Sequence, residues 1–149
     1  MTRRALIVLA GTFTLSGCAG TLNPGDEPEG RFLRRRGPVD AGPLSDYMAD
    51  GVYDRFRTSH GIFVIREGHR LFAQSAVCTH RDCLLRAHGA GFRCPCHGST
   101  FTAAGHVSNG PARRNLPRFL PERRSDGHFI VHTETPLAAD APESFLTVS

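Results

Sequence analysis

Two short runs, Cys78-Thr79-His80-Arg81-Asp82-Cys83 and Cys94-Pro95-Cys96-His97-Gly98-Ser99, constrain this chain more than anything else in its 149 residues. Each offers a Cys and a His spaced to point into one site. Each also carries a second Cys that such a site leaves over. Thiolate sulfur combined with imidazole nitrogen selects zinc, copper or iron–sulfur over magnesium or calcium.

The fifth cysteine, Cys18, belongs to a different signal. Arg3 and Arg4 precede an apolar stretch from Ala5 to Leu15, too short to cross a hydrocarbon core that needs about 20 residues. A basic start, a short apolar core and small residues read as an export signal over residues 1–17. Leu15-Ser16-Gly17-Cys18 resembles the lipobox of bacterial lipoprotein precursors, which implies cleavage before Cys18 and lipidation of its thiol. Thr2-Arg3-Arg4-Ala5-Leu6 is similar to a twin-arginine signal. An ordinary secretory signal with an incidental Cys is the plainer reading of the same residues. Removing residues 1–17 takes two arginines and lowers the formal charge from +4 to +2.

The four remaining cysteines fall within residues 78–96, and an exported compartment permits disulfides. That even count fits two ligands plus one bridge. All 18 basic residues are Arg. No basic stripe interleaved with aromatics appears, so nucleic-acid binding lacks support.

Residues 18–37 are rich in Gly, Pro, Asp, Glu and Arg and read as a flexible linker. Its root-mean-square span is roughly 25 Å, enough to hold a head near a membrane while it swings. The folded part reads as strands. Ile62-Phe63-Val64-Ile65 and Leu71-Phe72-Ala73 flank Glu67-Gly68, a hairpin pattern, and are expected to be half-buried. Leu116–Leu120 and Phe129-Ile130-Val131 flank Ser125-Asp126-Gly127, a second hairpin. Gly89-Ala90-Gly91 and Ala104-Gly105 mark further turns. Leu44–Val52 is the one candidate helix, and residues 136–149 read as a loosely attached tail. The expected fold class is all-β and antiparallel, with the Cys/His runs inserted between strand pairs.

A Cys₂His₂ zinc module, non-redox in function, competes for the two runs but explains neither Cys83 nor Cys96. A four-thiolate plant-type cluster needs Cys-x₄-Cys-x₂-Cys; Cys78 and Cys83 match only its first interval. Two disulfides would leave both histidines unexplained. Spacing favours iron–sulfur over zinc and leaves both open.

Together the runs resemble the paired motifs of Rieske iron–sulfur proteins, especially the disulfide-containing, high-potential type of quinol-oxidising cytochrome complexes. The resemblance covers about residues 38–133. It implies an antiparallel β-sandwich or barrel base over residues 38–135 with a cluster-binding part at about 76–113. It implies one 2Fe-2S cluster per chain, with Cys78 and Cys94 on one iron and His80 and His97 on the other. It pairs Cys83 with Cys96, assigns the Ser99 hydroxyl to a cluster sulfide, and makes Asn109-Gly110-Pro111-Ala112 a covering loop. Replacing two thiolates by neutral imidazoles makes the site less negative, which raises the potential to roughly −150 to +300 mV.

Three departures bear on function. Arg81 and Asp82 stand where quinol-oxidising members usually carry Leu and Gly. Phe101 replaces a Tyr that donates to a ligand sulfur in high-potential members. Arg113 and Arg114 follow the proline loop. His60, His69, His88, His106, His128 and His132 lack paired spacing and read as ordinary histidines; Phe63, Phe72, Phe92 and Phe119 read as core.

The expected function is one-electron transfer by a lipid-anchored, exported protein on the periplasmic face of a bacterial membrane. Its partner would be a cytochrome or an oxidoreductase subunit. The alternative is a Rieske subunit of a larger oxidoreductase, such as a quinol–cytochrome c oxidoreductase or a periplasmic metalloenzyme. Neither is a stand-alone catalyst.

Overall fold

The computed structural model describes residues 36–149. The expected export signal, Cys18 and nearly all of the expected linker lie outside them. Among the described residues eleven strands run in chain order. They are β1 (Pro38–Pro43), β2 (Gly51–Tyr53), β3 (Ile62–Glu67), β4 (Arg70–Ser75), β5 (Arg86–His88), β6 (Gly91–Arg93), β7 (Thr100–Thr102), β8 (Val107–Asn109), β9 (Arg118–Arg123), β10 (His128–Leu137) and β11 (Leu146–Thr147). A base sheet has the order β1-β10-β9-β4-β3-β2, with β11 also paired to β4; β5-β6-β7-β8 form a second sheet. All pairings are antiparallel. The protein is all-β, and the small sheet is inserted between β4 and β9.

Both expected hairpins form. Strands β3 and β4 pair from Ile62↔Ser75 to Glu67↔Arg70, and β9 and β10 pair around the Asp126-Gly127 turn. Burial differs from the expectation, because β3 is covered on both faces. Phe63, Ile65 and Phe72 point into one core with Phe92, Phe101, Leu116, Cys78 and Cys94. Ile62, Val64, Leu71 and Ala73 point into another with Val39, Tyr47, Phe129 and Val131. Period two thus sorts side chains between two cores rather than between core and water. Phe63 stacks on Phe92 at 4.7 Å between centroids and 17° between planes, tying the base to the inserted sheet. Such a pair adds about 0.5–1.5 kcal/mol beyond area burial.

Two further expectations need correction. The segment from Leu44 makes only a 3₁₀ turn, Leu44–Tyr47, and then strand β2. Tyr47 is drawn inward, where its hydroxyl donates to the Ala41 carbonyl at 2.5 Å, and Asp50-Gly51 ends any helical path. Among the described residues the one α-helix, α1 (Arg57–His60), is a single turn closed by Gly61 at φ 67°.

The C-terminal residues are docked rather than loosely attached. Strand β11 pairs Leu146 and Thr147 with Leu71 and Arg70, along the stretch of β4 edge that β9 leaves unpaired. Val148 is buried and its N–H donates to the His69 carbonyl. Ser144, fully buried, accepts from Arg118.

Candidate metal centre

The two Cys/His runs fold into the same loop twice. In the first, Cys78 N–H donates to the Cys83 carbonyl at 2.8 Å and Asp82 N–H to the Cys78 carbonyl at 3.0 Å. In the second, Cys94 N–H donates to the Ser99 carbonyl at 2.8 Å and Gly98 N–H to the Cys94 carbonyl at 3.1 Å. Residue for residue, Cys78 matches Cys94, Asp82 matches Gly98 and Cys83 matches Ser99. The fifth position of each loop is left-handed, at φ 56° for Asp82 and 75° for Gly98. Glycine meets that demand freely, whereas an L side chain is strained by it.

The first loop lies between β4 and β5 and is closed below by the Val77↔Leu84 bridge and by Leu85 N–H on the Ala76 carbonyl. The second joins β6 to β7. Cys83 and Cys96 are disulfide-bonded across the two loops, as the resemblance implied. Cys78 and Cys94 remain free thiols, both buried. Burial pushes the Cys78 thiol up, the His80 backbone N–H aimed at its sulfur pulls it back, and the Cys94 thiol raises it again.

His80 and His97 meet edge to face with ring centroids 4.9 Å apart. His80 is partly buried, and its Nδ1 is a fully enclosed atom with no hydrogen-bond partner; His97 is exposed. An imidazole nitrogen enclosed without a partner costs free energy unless something binds it. Two free thiols and two imidazoles on facing loops, one ring nitrogen awaiting a bond, fit a two-sulfur, two-nitrogen ligand set. The Sγ atoms of Cys83, Cys94 and Cys96 also converge within 4.8 Å. Two of them are spent on the bridge, so that trio is not the ligand set.

Ser99 is fully buried, and its Oγ accepts the Ala112 N–H at 3.1 Å. This pins the proline loop over the centre and leaves the hydroxyl proton to donate elsewhere. Gly110, at φ 95°, permits the close approach: a Cβ there would lie 2.6 Å from Ser99 Cα. Phe101 is buried in the same core as Cys78 and Cys94 and offers them no hydrogen-bond donor.

Several supports were invisible in the sequence. Thr79 Oγ1 donates to the Arg114 carbonyl at 2.6 Å, fastening the first loop to the segment that follows the proline loop. Arg57 Nε donates to the Leu85 carbonyl at 2.5 Å, fastening it to α1. Both bonds end on backbone carbonyls far along the chain, and no side-chain motif announces them. Beside His80, an open recess is lined by Thr79, Gly110, Pro111, Arg113 and Arg114. Arg81 is exposed at the loop tip.

A family model described as the Rieske [2Fe-2S] domain matches residues 38–120. The ubiquinol-cytochrome c reductase iron-sulfur subunit of Bradyrhizobium diazoefficiens is 40% identical over 57 residues, covering 36% of this chain and 32% of that one. The cytochrome b6-f complex iron-sulfur subunit of Chlorobaculum tepidum is 35% identical over 107 residues, covering 70% of this chain and 58% of that one. The chain thus spans less than two thirds of either relative. The crystal structure of the cyanobacterial plasma membrane Rieske protein PetC3 from Synechocystis PCC 6803 aligns with a TM-score of 0.47 and 26% identity, over 62% of this chain and 97% of that one.

Proposed function

The chain belongs to the Rieske [2Fe-2S] domain family, and from that premise we propose that it carries single electrons between redox proteins, with Cys78, Cys94, His80 and His97 holding the cluster. The observation that carries this reading is the pair of facing loops, with two buried free thiols beside two imidazoles 4.9 Å apart. When bound, a 2Fe-2S cluster accepts and releases one electron at a potential raised by its two neutral imidazole ligands.

The residues divide the remaining work. Cys78 and Cys94 sit where water is excluded, so their thiolates face no competing solvent. Amides of the loop, among them those of His80 and Arg81, point at the Cys78 sulfur and stabilise negative charge on it. His80 and His97 stand at the outer edge, His97 exposed and His80 partly buried, where a partner protein can approach them. The Cys83–Cys96 bridge clamps the two loops at a fixed separation.

The partner reading rests on charge. Residues 76–115 hold five arginines (Arg81, Arg86, Arg93, Arg113, Arg114) against one acid, Asp82. That segment alone accounts for the chain's formal charge of +4. All five arginines are exposed, and Arg113 and Arg114 flank His80. A cationic rim around the electron-transfer edge favours fast, transient docking with an acidic protein. A charged tip is poorly suited to an apolar quinol pocket. Export and anchoring through a lipid on Cys18, with the head on the periplasmic face, complete the proposal. Among the described residues no helix is long and apolar enough to cross a membrane.

The second reading, a subunit of a larger oxidoreductase, is favoured by relatives named as subunits of ubiquinol-cytochrome c reductase and cytochrome b6-f complexes. Electron-transfer rates to an acidic cytochrome at rising ionic strength test the first reading. An independent carrier loses rate steeply with salt, and more gently once Arg81, Arg113 and Arg114 are replaced by Gln. A salt-insensitive rate, with co-purification in a stable complex, favours the second.

A further inference from the structure

A groove of about 390 Å³ lies where the first cluster loop meets the base sheet. The loop contributes Cys78, Thr79 and Asp82 to its walls, and strands β4, β9 and β10 contribute Ser75, Phe119 and Thr133. Arg36, His60 and Arg114 set three basic side chains against the single acid, Asp82. Arg36 and Arg114 are exposed, and neither forms an ion pair among the described residues. Thr79 and Arg114 also line the recess beside His80. An occupant held at Arg114 therefore stands next to the electron-transfer edge.

Arg36 is also where the preceding chain joins the described fold. Upstream of it the sequence holds Asp26-Glu27-Pro28-Glu29, three acids in four residues. Glu29 stands seven residues before Arg36. Seven residues reach at most about 24 Å and span roughly 15 Å as a coil. Arg36 and Arg114 line one small cavity, so that reach suffices. We propose that the acidic segment Asp26–Glu29 of this same chain docks on Arg36 and Arg114 in this groove, and so competes with an acidic redox partner for the cationic rim.

Charge and tether both favour this occupant. Exposed ion pairs are individually weak. A short tether turns their formation into an intramolecular event at millimolar effective concentration, which a partner in dilute solution does not enjoy. Pro28 restricts its own backbone and that of Glu27, which lessens the entropy lost on docking. Arg31, Arg34 and Arg35 lie between the acids and the groove, and a cationic groove repels them. The acids, not the nearer arginines, are the part it attracts.

The functional consequence rests on the electron-carrier reading; the docking itself does not. A partner with an acidic face must displace the segment to reach Arg114. The chain thus carries its own competitor, which slows docking by weakly acidic proteins more than by strongly acidic ones.

The first test needs no iron. Full-length protein carrying Arg114→Lys is treated with a carbodiimide, which joins a lysine amine to a carboxylate in contact with it. The chain has no lysine of its own, so peptide mass spectrometry assigns every bond made at position 114. The expected result is a bond to Asp26, Glu27 or Glu29 that disappears at high salt. Arg86→Lys is the control, because Arg86 is exposed but does not line the groove; it should give no such bond. Bonds to Asp82 alone overturn the proposal, as do bonds to the acidic segment formed equally well by Arg86→Lys. Mixing isotope-labelled with unlabelled chains identifies bonds between molecules, and a bond found only there assigns the groove to a second copy and overturns it too. The second test measures electron transfer to an acidic cytochrome with Asp26→Asn, Glu27→Gln and Glu29→Gln combined. The combined variant should be roughly two- to fivefold faster than wild type at low salt, as suits a few exposed ion pairs, and equal to it at high salt. Equal rates at every ionic strength would refute the competition. A chain that never contains iron would sink the carrier reading, while the cross-link would still decide the docking.

Discussion

Asp82 occupies in the first loop the place that Gly98 occupies in the second, and both backbones are left-handed, at φ 56° and 75°. Each N–H closes its loop on the carbonyl of a cysteine four residues earlier, Cys78 or Cys94. The hydrogen bond dictates the conformation, and only glycine adopts it without strain. Asp tolerates it better than most residues. Asp82→Gly should therefore stabilise the folded protein by about 0.5–1 kcal/mol. The midpoint of chemical denaturation, compared with wild type, reads this directly; an unchanged or lower midpoint would mean that the carboxylate compensates for the strain.

Phe101 packs against the core that encloses Cys78 and Cys94. Phe101→Tyr would supply a hydroxyl where none exists now. A hydrogen bond of about 1 kcal/mol favouring the reduced state corresponds to roughly +40 mV for one electron. Voltammetry of the two proteins under matched conditions gives the shift, and a fall in potential would count against the assignment.

Ser99 and Gly110 should behave as a pair. Ser99→Ala leaves the Ala112 N–H without its acceptor at a buried position, a cost of about 1–3 kcal/mol. Gly110→Ala forces a Cβ to within 2.6 Å of Ser99 Cα and pushes the proline loop off the centre. Both variants should lose cluster absorbance faster than wild type on mild heating. Equal lifetimes would show that the loop does not shield the site.

The Cys83–Cys96 bridge joins positions 13 apart in sequence, and closing a loop of that size stabilises the fold by about 3 kcal/mol on the chain-entropy estimate. Cys83→Ser should lower thermal stability accordingly and leave a fragile cluster of lower potential. A variant matching wild type in both would deny the bridge its clamping role.

His132 stands between Glu122, at 2.7 Å from Nε2, and Glu134, at 3.0 Å from Nδ1. The hydrogen bond to Glu122, then that to Glu134, hold its pKa above the ordinary 6.5. A raised folded-state pKa stabilises the fold fully below the unfolded value and ceases to do so as pH rises through the folded value. The stability gap between wild type and His132→Gln should thus be widest below about pH 6.5 and fade above it. Thermal melts at a series of pH values give the gap; one that widened with pH would contradict the charge assignment.

How much of this was legible differs by element. The β9–β10 hairpin followed from Asp126-Gly127 between apolar runs, and the metal-binding character followed from the two Cys/His runs. The double-sided burial of β3 was written in Ile62-Phe63-Val64-Ile65, a run with no polar alternation, which marks a strand covered on both faces. Strand β11 was not legible: Leu146-Thr147 is too short to signal anything, and its place depends on how much of β4 another strand leaves open. The equivalence of the two loops was hidden because matched positions carry different residues, Asp82 against Gly98 and Cys83 against Ser99. It is held in backbone hydrogen bonds, which sequence spacing does not display. The Arg57 and Thr79 fastenings were hidden for the same reason.

Two sulfurs and two imidazole nitrogens of this chain are proposed to hold a 2Fe-2S cluster. Iron and labile-sulfide analysis joined to pulsed EPR of the reduced full-length protein decides whether they do. Two irons and two sulfides per chain are expected, with hyperfine coupling to two imidazole nitrogens that is absent together with the cluster in His97→Ala. Zinc in place of iron, or a reduced cluster with no nitrogen coupling, would contradict it.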